Sequence, residues 1–359
     1  MKILYALDSP YAFAGGCWLY RQFLPGEALK AKGHTVKYMA LGNTVAQEWL
    51  NYPDVVIFTR VYPIDPIIAV RQFKRMGKKV VYEIDDDLWH VNPDNPSVSV
   101  STEKRRQYEI LMSEVDAITT TTEELAKLLR KFNKNVYVCP NSITYDIWHE
   151  RAGNNDVLRI GYTGASSHWA DLSIVTKALL KLRDKYDFVF HIQGMSGQPI
   201  ECEMYGYQQI LRHGLVPEQT KYMTQALDWF NDVRELKFYH TPFYPPELYP
   251  KTLASVDIDI GIAPLIDNTF NHSKSCVKFY EYSAVGTVTL ASDVLPYNKE
   301  VGYCAKNTEK DWYRKLEKLI VDEKFRKKLL EKQQKWVREH RDMNKVVDLW
   351  EEAFDPKNL

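Results

Sequence analysis

The feature that most constrains this chain is an alternation of short apolar runs with longer amphipathic ones, which occurs twice with a polar gap between. In the first half strands are expected at Ile3–Leu7, Val36–Leu41, Val55–Phe58, Lys79–Ile84, Ala117–Thr121 and Val136–Cys139. Helices are expected between them, at Trp18–Lys32, Pro66–Met76, Glu103–Ser113 and Glu123–Phe132. Strands this apolar must be covered on both faces, and a helical crossover returns the chain parallel to its last strand. The expected product is a parallel sheet with right-handed crossovers. Around Tyr145–Asp156 the pattern lapses into polar residues with Gly153-Asn154-Asn155, which reads as a linker. It then restarts at Arg159–Thr163, Phe188–Gln193, Leu236–Tyr239, Ile258–Ala263 and Thr287–Ala291. At 359 residues the chain suits two domains rather than one core. The expected division is 1–150, 151–335 with an insertion at about 195–232, and a closing helical segment 336–359. In that last segment Met343, Val346, Val347, Trp350 and Phe354 form an apolar stripe at helical spacing.

The richest segment runs Ala263–Ser292, APLIDNTFNHSKSCVKFYEYSAVGTVTLAS. Ile258, Ile260 and Ile262 alternate with Asp257, Asp259 and Gly261 before it, and Pro264 breaks the strand. A helix is expected from about Ser273 to Val285, capped by Gly286, then a strand. On such a helix Lys274, Lys278 and Glu281 share one face. Two lysines at a helix N-terminus attract a diphosphate, and a carboxylate one turn on can accept from a vicinal diol. The bland alternative is a solvated lysine face with one ion pair.

This segment resembles the donor-binding signature of the retaining GT-B glycosyltransferases that include sucrose-phosphate synthases and bacterial cell-surface sugar transferases. That family has two glutamates eight positions apart, then Gly-x-Pro. Here Glu281 stands at the second, which the resemblance assigns to the donor ribose, and Ser273 stands at the first. Asn271, Lys274 and Ser275 fill the missing glutamate's neighbourhood, and Gly286-Thr287-Val288 replaces Gly-x-Pro. The chain thus resembles a divergent branch. The resemblance implies two Rossmann-like doubly wound α/β domains facing across a cleft, the final helix crossing back to the first.

Other constellations fall near expected strand ends. Gly161-Tyr162-Thr163-Gly164-Ala165-Ser166-Ser167-His168 leaves the first strand of the second half. Small residues there let a phosphate approach the backbone, and Ser166 or Ser167 can cap the next helix. The family has a similar Gly-x-x-Gly-Ser turn facing the donor diphosphate, so Gly164, Ser166 and Ser167 join the expected donor site. The arginine and lysine that usually follow are replaced by His168 and Trp169, which leaves phosphate charge to Lys274 and Lys278. Ala14-Gly15-Gly16-Cys17 follows the first strand, where the family has a glycine-rich loop on the acceptor side. It is not the dinucleotide fingerprint, and no acidic residue stands at the ribose position after strand two. Asp85, Asp86 and Asp87 crowd the end of the fourth strand, where carboxylates must be paired, solvated or used. A divalent metal site or plain helix capping would also fit there; the preferred role is positioning an acceptor hydroxyl through Asp85 and Asp86.

Lys plus Arg equals Asp plus Glu at 47 each, so no net field draws the chain to nucleic acid or anionic membrane. The five cysteines are scattered without metal spacing, which fits a reduced, cytoplasmic compartment. No apolar run is long enough to span a bilayer, so contact with a lipid acceptor would be peripheral. The reading is a cytoplasmic glycosyltransferase moving sugar from a UDP- or GDP-sugar to a glycan, lipid-linked or other hydroxyl. Retention is implied by resemblance, with no metal and no cofactor beyond the nucleotide-sugar co-substrate. Its rivals are a UDP-sugar epimerase, a DNA-modifying sugar transferase and a silent nucleotide-sugar-binding protein.

Overall fold

Leu4 and Ala6 pack on one side of the first strand while Ile3, Tyr5 and Leu7 pack on the other, so that strand lies between two apolar layers. The computed structural model describes residues 1–7, 15–40, 47–60, 64–91, 101–165, 168–194, 233, 235, 236 and 238–358. Within them lie two six-stranded sheets. The first contains β1 (Lys2–Leu7), β2 (Thr35–Ala40), β3 (Val55–Thr59), β4 (Lys79–Glu83), β5 (Ala117–Thr120) and β6 (Val136–Val138), in the order β2-β1-β3-β4-β5-β6. The second contains β7 (Arg159–Gly164), β8 (Val189–Gly194), β9 (Tyr239–Thr241), β10 (Ile260–Ala263), β11 (Val288–Ser292) and β12 (Cys304–Ala305), in the order β12-β11-β10-β7-β8-β9. Each strand pair is parallel, as expected for buried strands joined by helical crossovers. The strand order reverses between β1 and β3, and again between β7 and β10. Such switch points open crevices at the carboxyl ends of strands, where α/β proteins bind ligands.

Several elements differ from expectation. The strand expected at Ile258–Ala263 begins at Ile260, because Asp257 takes a left-handed conformation (φ 58°) to end the Tyr249–Val256 helix. The strand expected at Leu236–Tyr239 is Tyr239–Thr241, held in register by His191, Ile192 and Gln193 of β8. The second sheet gains Cys304–Ala305, too short to leave a periodic signal. The helix expected from Ser273 is interrupted. A short Thr269–His272 helix, capped by Asn268, is followed by a non-helical Ser273–Cys276 link, and the main helix is Val277–Ala284. Tertiary bonds hold the link open: Thr122 Oγ1 donates to the Ser273 carbonyl (2.8 Å), and Asn141 Nδ2 donates to Ser275 Oγ (2.8 Å). Gly286 does cap that helix, at φ 79°. The expected insertion at 195–232 lies outside the described residues.

The chain then makes two long helices, Glu323–His340 and Met343–Phe354. The first lies on the second sheet, where Gln333 bonds both the N–H and the carbonyl of Thr289. The second returns to the first sheet and buries the whole expected stripe. Its Trp350 ring lies 4.4 Å from the Arg21 guanidinium, which is fully buried and bidentate to Glu83 (2.7 and 3.0 Å). Removing either partner would strand a buried charge, so this pair fixes the helix after β1 against the sheet. Among the described residues no helix is long and apolar enough to cross a membrane. The four described cysteines are free thiols.

Candidate functional site

The carboxyl ends of the two sheets meet around a cavity of about 630 Å³. Its floor on the second sheet is nearly bare backbone. Gly194 ends β8 at φ 90°, and a Cβ there would lie 2.4 Å from the Gly164 carbonyl oxygen. A Cβ on Gly164 would lie 2.6 Å from the Tyr162 hydroxyl. Only glycine fits at Gly194, a side chain at Gly164 would have to displace the Tyr162 ring, and the pair leaves room for a ligand to reach the main chain.

Lys274, Lys278 and Glu281 all line this cavity, although only the last two share the helix. The shared helical face expected for the three is therefore corrected: Lys274 arrives from the link. The two lysines differ in what they touch. Lys274 lies 3.7 Å from Asp86 across the cleft and over the Phe270 ring. Lys278 has no hydrogen bond or ion pair among the described residues and lies over the Tyr162 ring, 5.5 Å from its centroid. Burial pushes its ammonium below the ordinary lysine value; Asp171 and Glu281 pull the other way and Lys274 adds to the depression. A half-buried cation without a counter-ion is a ready partner for an anion.

Glu281 is buried, and both its oxygens are engaged. Tyr20 donates to Oε1 (2.5 Å) and Tyr249 donates to Oε2 (2.9 Å). Burial raises its carboxyl above the ordinary range, against those bonds and Lys278. Tyr20 belongs to a helical stretch that widens to a π-type turn over Leu19–Phe23, which turns both Tyr20 and Arg21 inward. A carboxylate oxygen accepts more than one hydrogen bond, so Glu281 retains capacity for a diol.

The three aspartates divide. Asp87 caps no helix among the described residues but holds a turn, accepting from the N–H groups of Trp89 (3.0 Å) and His90 (3.1 Å) and pairing with His90 Nδ1 (2.7 Å). Asp85 and Asp86 line the cavity and are each 3.3 Å from Arg60 Nη1. Cys17 Sγ donates to Asp85 (2.6 Å) and accepts from Arg60 (3.1 Å). Burial works to raise the Asp86 carboxyl, but Lys274, Arg60 and His168 outweigh it and hold it below its ordinary value. Arg60 has φ 48°, an uncommon left-handed backbone for a bulky residue.

Gly16 lines the cavity beside Leu19 and Tyr20, whereas Gly15 is not among the lining residues and precedes that helix as its N-cap. Ser275 lines the cavity; Asn271 instead bonds the Ile266 carbonyl and shapes the link. Ser166 and Ser167 lie outside the described residues.

His168, Gln193, Tyr20, Tyr249 and Phe243 line the cavity without having been singled out as ligands from sequence. His168 Nδ1 lies 2.6 Å from Asp171, which accepts from the Ile266 N–H on its other oxygen (2.7 Å). Burial and Lys278 push the imidazole down to about 4 against the pull of Asp171, so it is neutral at pH 7. Because a carboxylate only accepts, Nδ1 carries the proton and Nε2 is an acceptor. The i,i+3 spacing of His168 and Asp171 could have signalled this pair. Nothing local signals the tyrosines, which arrive from separate elements. Among the described residues no group of three or more His, Cys, Asp or Glu side chains is placed to hold a metal ion.

No protein-family model matches the chain, and no curated protein sequence does either. Solved structures do. HepE of Anabaena, solved with UDP and glucose, is 12% identical with a TM-score of 0.69, over 98% of this chain and 99% of that one. A glycosyltransferase from Rickettsia africae is 12% identical, TM-score 0.63, over 99% of both chains. An α-glucosyltransferase solved with UDP-glucose and DNA containing an abasic site is 13% identical, TM-score 0.63, again over 99% of both. At such identity these likenesses establish the fold: two parallel doubly wound sheets in the GT-B arrangement.

Proposed function

We propose that this chain is a glycosyltransferase that binds a nucleotide-diphosphate sugar in the cleft and transfers the sugar to an acceptor hydroxyl. The observation that carries the reading is the half-buried Lys278, without an ion pair among the described residues, in one cavity with Gly164 and Gly194 at the ends of β7 and β8. That combination accommodates a diphosphate: backbone can approach its oxygens, and a cation stands ready to meet their charge. Glu281, on the same helix, takes the ribose diol. The UDP and UDP-glucose in the structural neighbours support the same class of ligand.

In this reading residues 151–335 form the donor side and residues 1–150 the acceptor side, with the last helix returning to the latter. Lys274, Lys278 and the Gly164 turn stabilise charge on the departing diphosphate, and cleft closure excludes water. Asp85 and Asp86 face the acceptor, a glycan, lipid-linked or other hydroxyl. Retention of configuration and independence from metal follow from the resemblance of the donor segment. A thermal-shift screen of UDP- and GDP-sugars tests the donor class, since a ligand bound to the folded state raises Tm by mass action. Transfer or slow hydrolysis of the best donor should survive excess EDTA. Loss of activity with EDTA and its return with Mn²⁺ or Mg²⁺ would replace this mechanism by a metal-assisted one.

A further inference from the structure

Gln193 lines the cavity at 1% exposure, and among the described residues neither its Oε1 nor its Nε2 has a hydrogen-bond partner. A buried amide in that state costs the folded protein its desolvation without return, so it calls for a reason. Its strand explains where it stands. Ile192 packs with Tyr162 in the core on one face of the second sheet, which leaves Gln193 and its register neighbour Thr163 on the other. There the Tyr282 hydroxyl takes the Thr163 N–H (2.9 Å), and Thr241, opposite Gln193 on β9, bonds His191 Nε2 (2.7 Å). The row is satisfied on both sides of an unsatisfied amide.

The chemistry of the vacancy narrows the ligand. A phosphate offers acceptors only, which would leave Oε1 unmet, and Lys274 and Lys278 already suit it. A ribose diol suits Glu281. A nucleobase edge presents an N–H beside an acceptor in one plane, the pattern a carboxamide complements with two hydrogen bonds. Phe243 and Tyr244, from the loop after β9, line the same cavity and offer apolar flank to the base. We infer that Gln193 reads the nucleobase edge of the bound nucleotide, a specificity-determining contact held ready at the expense of the free protein's stability. This rests on the donor reading above.

The test is Gln193→Met, which keeps the shape and removes the amide, with Gln193→Leu as a second variant. UDP and GDP are titrated into wild-type protein by calorimetry, and the tighter is carried forward. Loss of paired hydrogen bonds to a base should weaken it about 10- to 100-fold. Binding of ribose 5-phosphate and pyrophosphate should not change, and the ligand-free Tm should equal or exceed that of wild type. Unchanged nucleotide affinity overturns the inference. So does an equal loss for either base-free ligand, a lowered ligand-free Tm, or failure of both variants to fold, because each makes the amide structural or assigns it elsewhere. If wild-type protein binds neither nucleotide, the donor reading itself falls and takes this inference with it.

Discussion

The two walls of the cleft are built in opposite ways. On the first-sheet wall the charges are mutually satisfied: Arg60 holds Asp85 and Asp86, Cys17 bridges Arg60 and Asp85, and Arg21 beneath them is locked to Glu83. On the second-sheet wall, among the described residues, Lys278 makes no ion pair and the Gln193 amide makes no hydrogen bond, above a floor that includes Gly164 and Gly194. Folding pairs the charges of one wall and leaves on the other a lysine without a resting ion pair among the described residues. Unmet polar groups cost stability, so a wall that keeps them marks the place where binding energy is held in reserve.

The sharpest way to break this contrast is Lys278→Ala, set against Lys318→Ala, a lysine already paired with Asp322 at 2.6 Å on the surface. Loss of a charge contact that grows in the transition state should lower turnover about 10²–10³-fold. Lys274→Ala should act in the same direction with smaller effect, because its resting partner is Asp86. If Lys278→Ala turns over like the Lys318 control, the unpaired lysine is scaffolding and the contrast is empty.

Glu281→Gln ranks next. It keeps the shape, halves the acceptor capacity and should weaken donor binding by about 1.5–3 kcal/mol, the scale of a hydrogen bond to a charged group. Calorimetry with the best nucleotide sugar decides it, and an unaltered Kd in a folded variant removes Glu281 from the ribose.

Asp86→Asn probes the ion pair between Asp86 and Lys274 across the cleft. It frees Lys274 for the ligand, so nucleoside diphosphate binding should tighten by about 0.2–1 kcal/mol, the range for a partly exposed pair. Combining it with Lys274→Met should abolish the gain, and a gain that persists points to general repulsion by Asp86.

The smallest effect concerns His168. Its folded pKa, about 4, lies below the ordinary value of 6.5, so the unfolded chain binds more protons between those limits. The stability due to its burial is complete above pH 6.5 and is lost as pH falls toward 4. His191, also held near 4 by burial and Arg159, contributes the same sign. His168→Gln should therefore shrink the drop in Tm between pH 7 and pH 5 without removing it, and an unchanged drop denies His168 that role.

Much of the architecture was legible because it depends on local pattern. Ile3–Leu7 and Val55–Phe58 are apolar without interruption, and only a strand covered on both faces accommodates them. The stripe from Met343 to Phe354 is buried as its spacing demands. The helix expected from Ser273 starts only at Val277 for a reason that no window of sequence contains: Thr122 and Asn141, about 150 and 130 residues away, capture Ser273 and Ser275. Asp87 was separable from Asp85 and Asp86 only once the turn at Trp89 and His90 was seen to claim it.

By itself the sequence determined that the chain forms two parallel sheets, and it brought Gly16, Gly164, Lys274, Lys278, Glu281, Asp85 and Asp86 to their carboxyl ends. Hydrophobic periodicity and strand-end position are properties of neighbouring residues, so they survive in one dimension. Tertiary structure decided which of these groups are spent and which are spare. Lys274 and Lys278 are four residues apart and chemically identical, yet among the described residues one pairs with Asp86 and the other makes no ion pair. Gln193 looks like any polar residue at a strand end until the partners around it are counted. Whether a polar group is satisfied depends on what the opposite sheet and the crossing helices bring within about 3 Å, and that distance exists only in the folded chain.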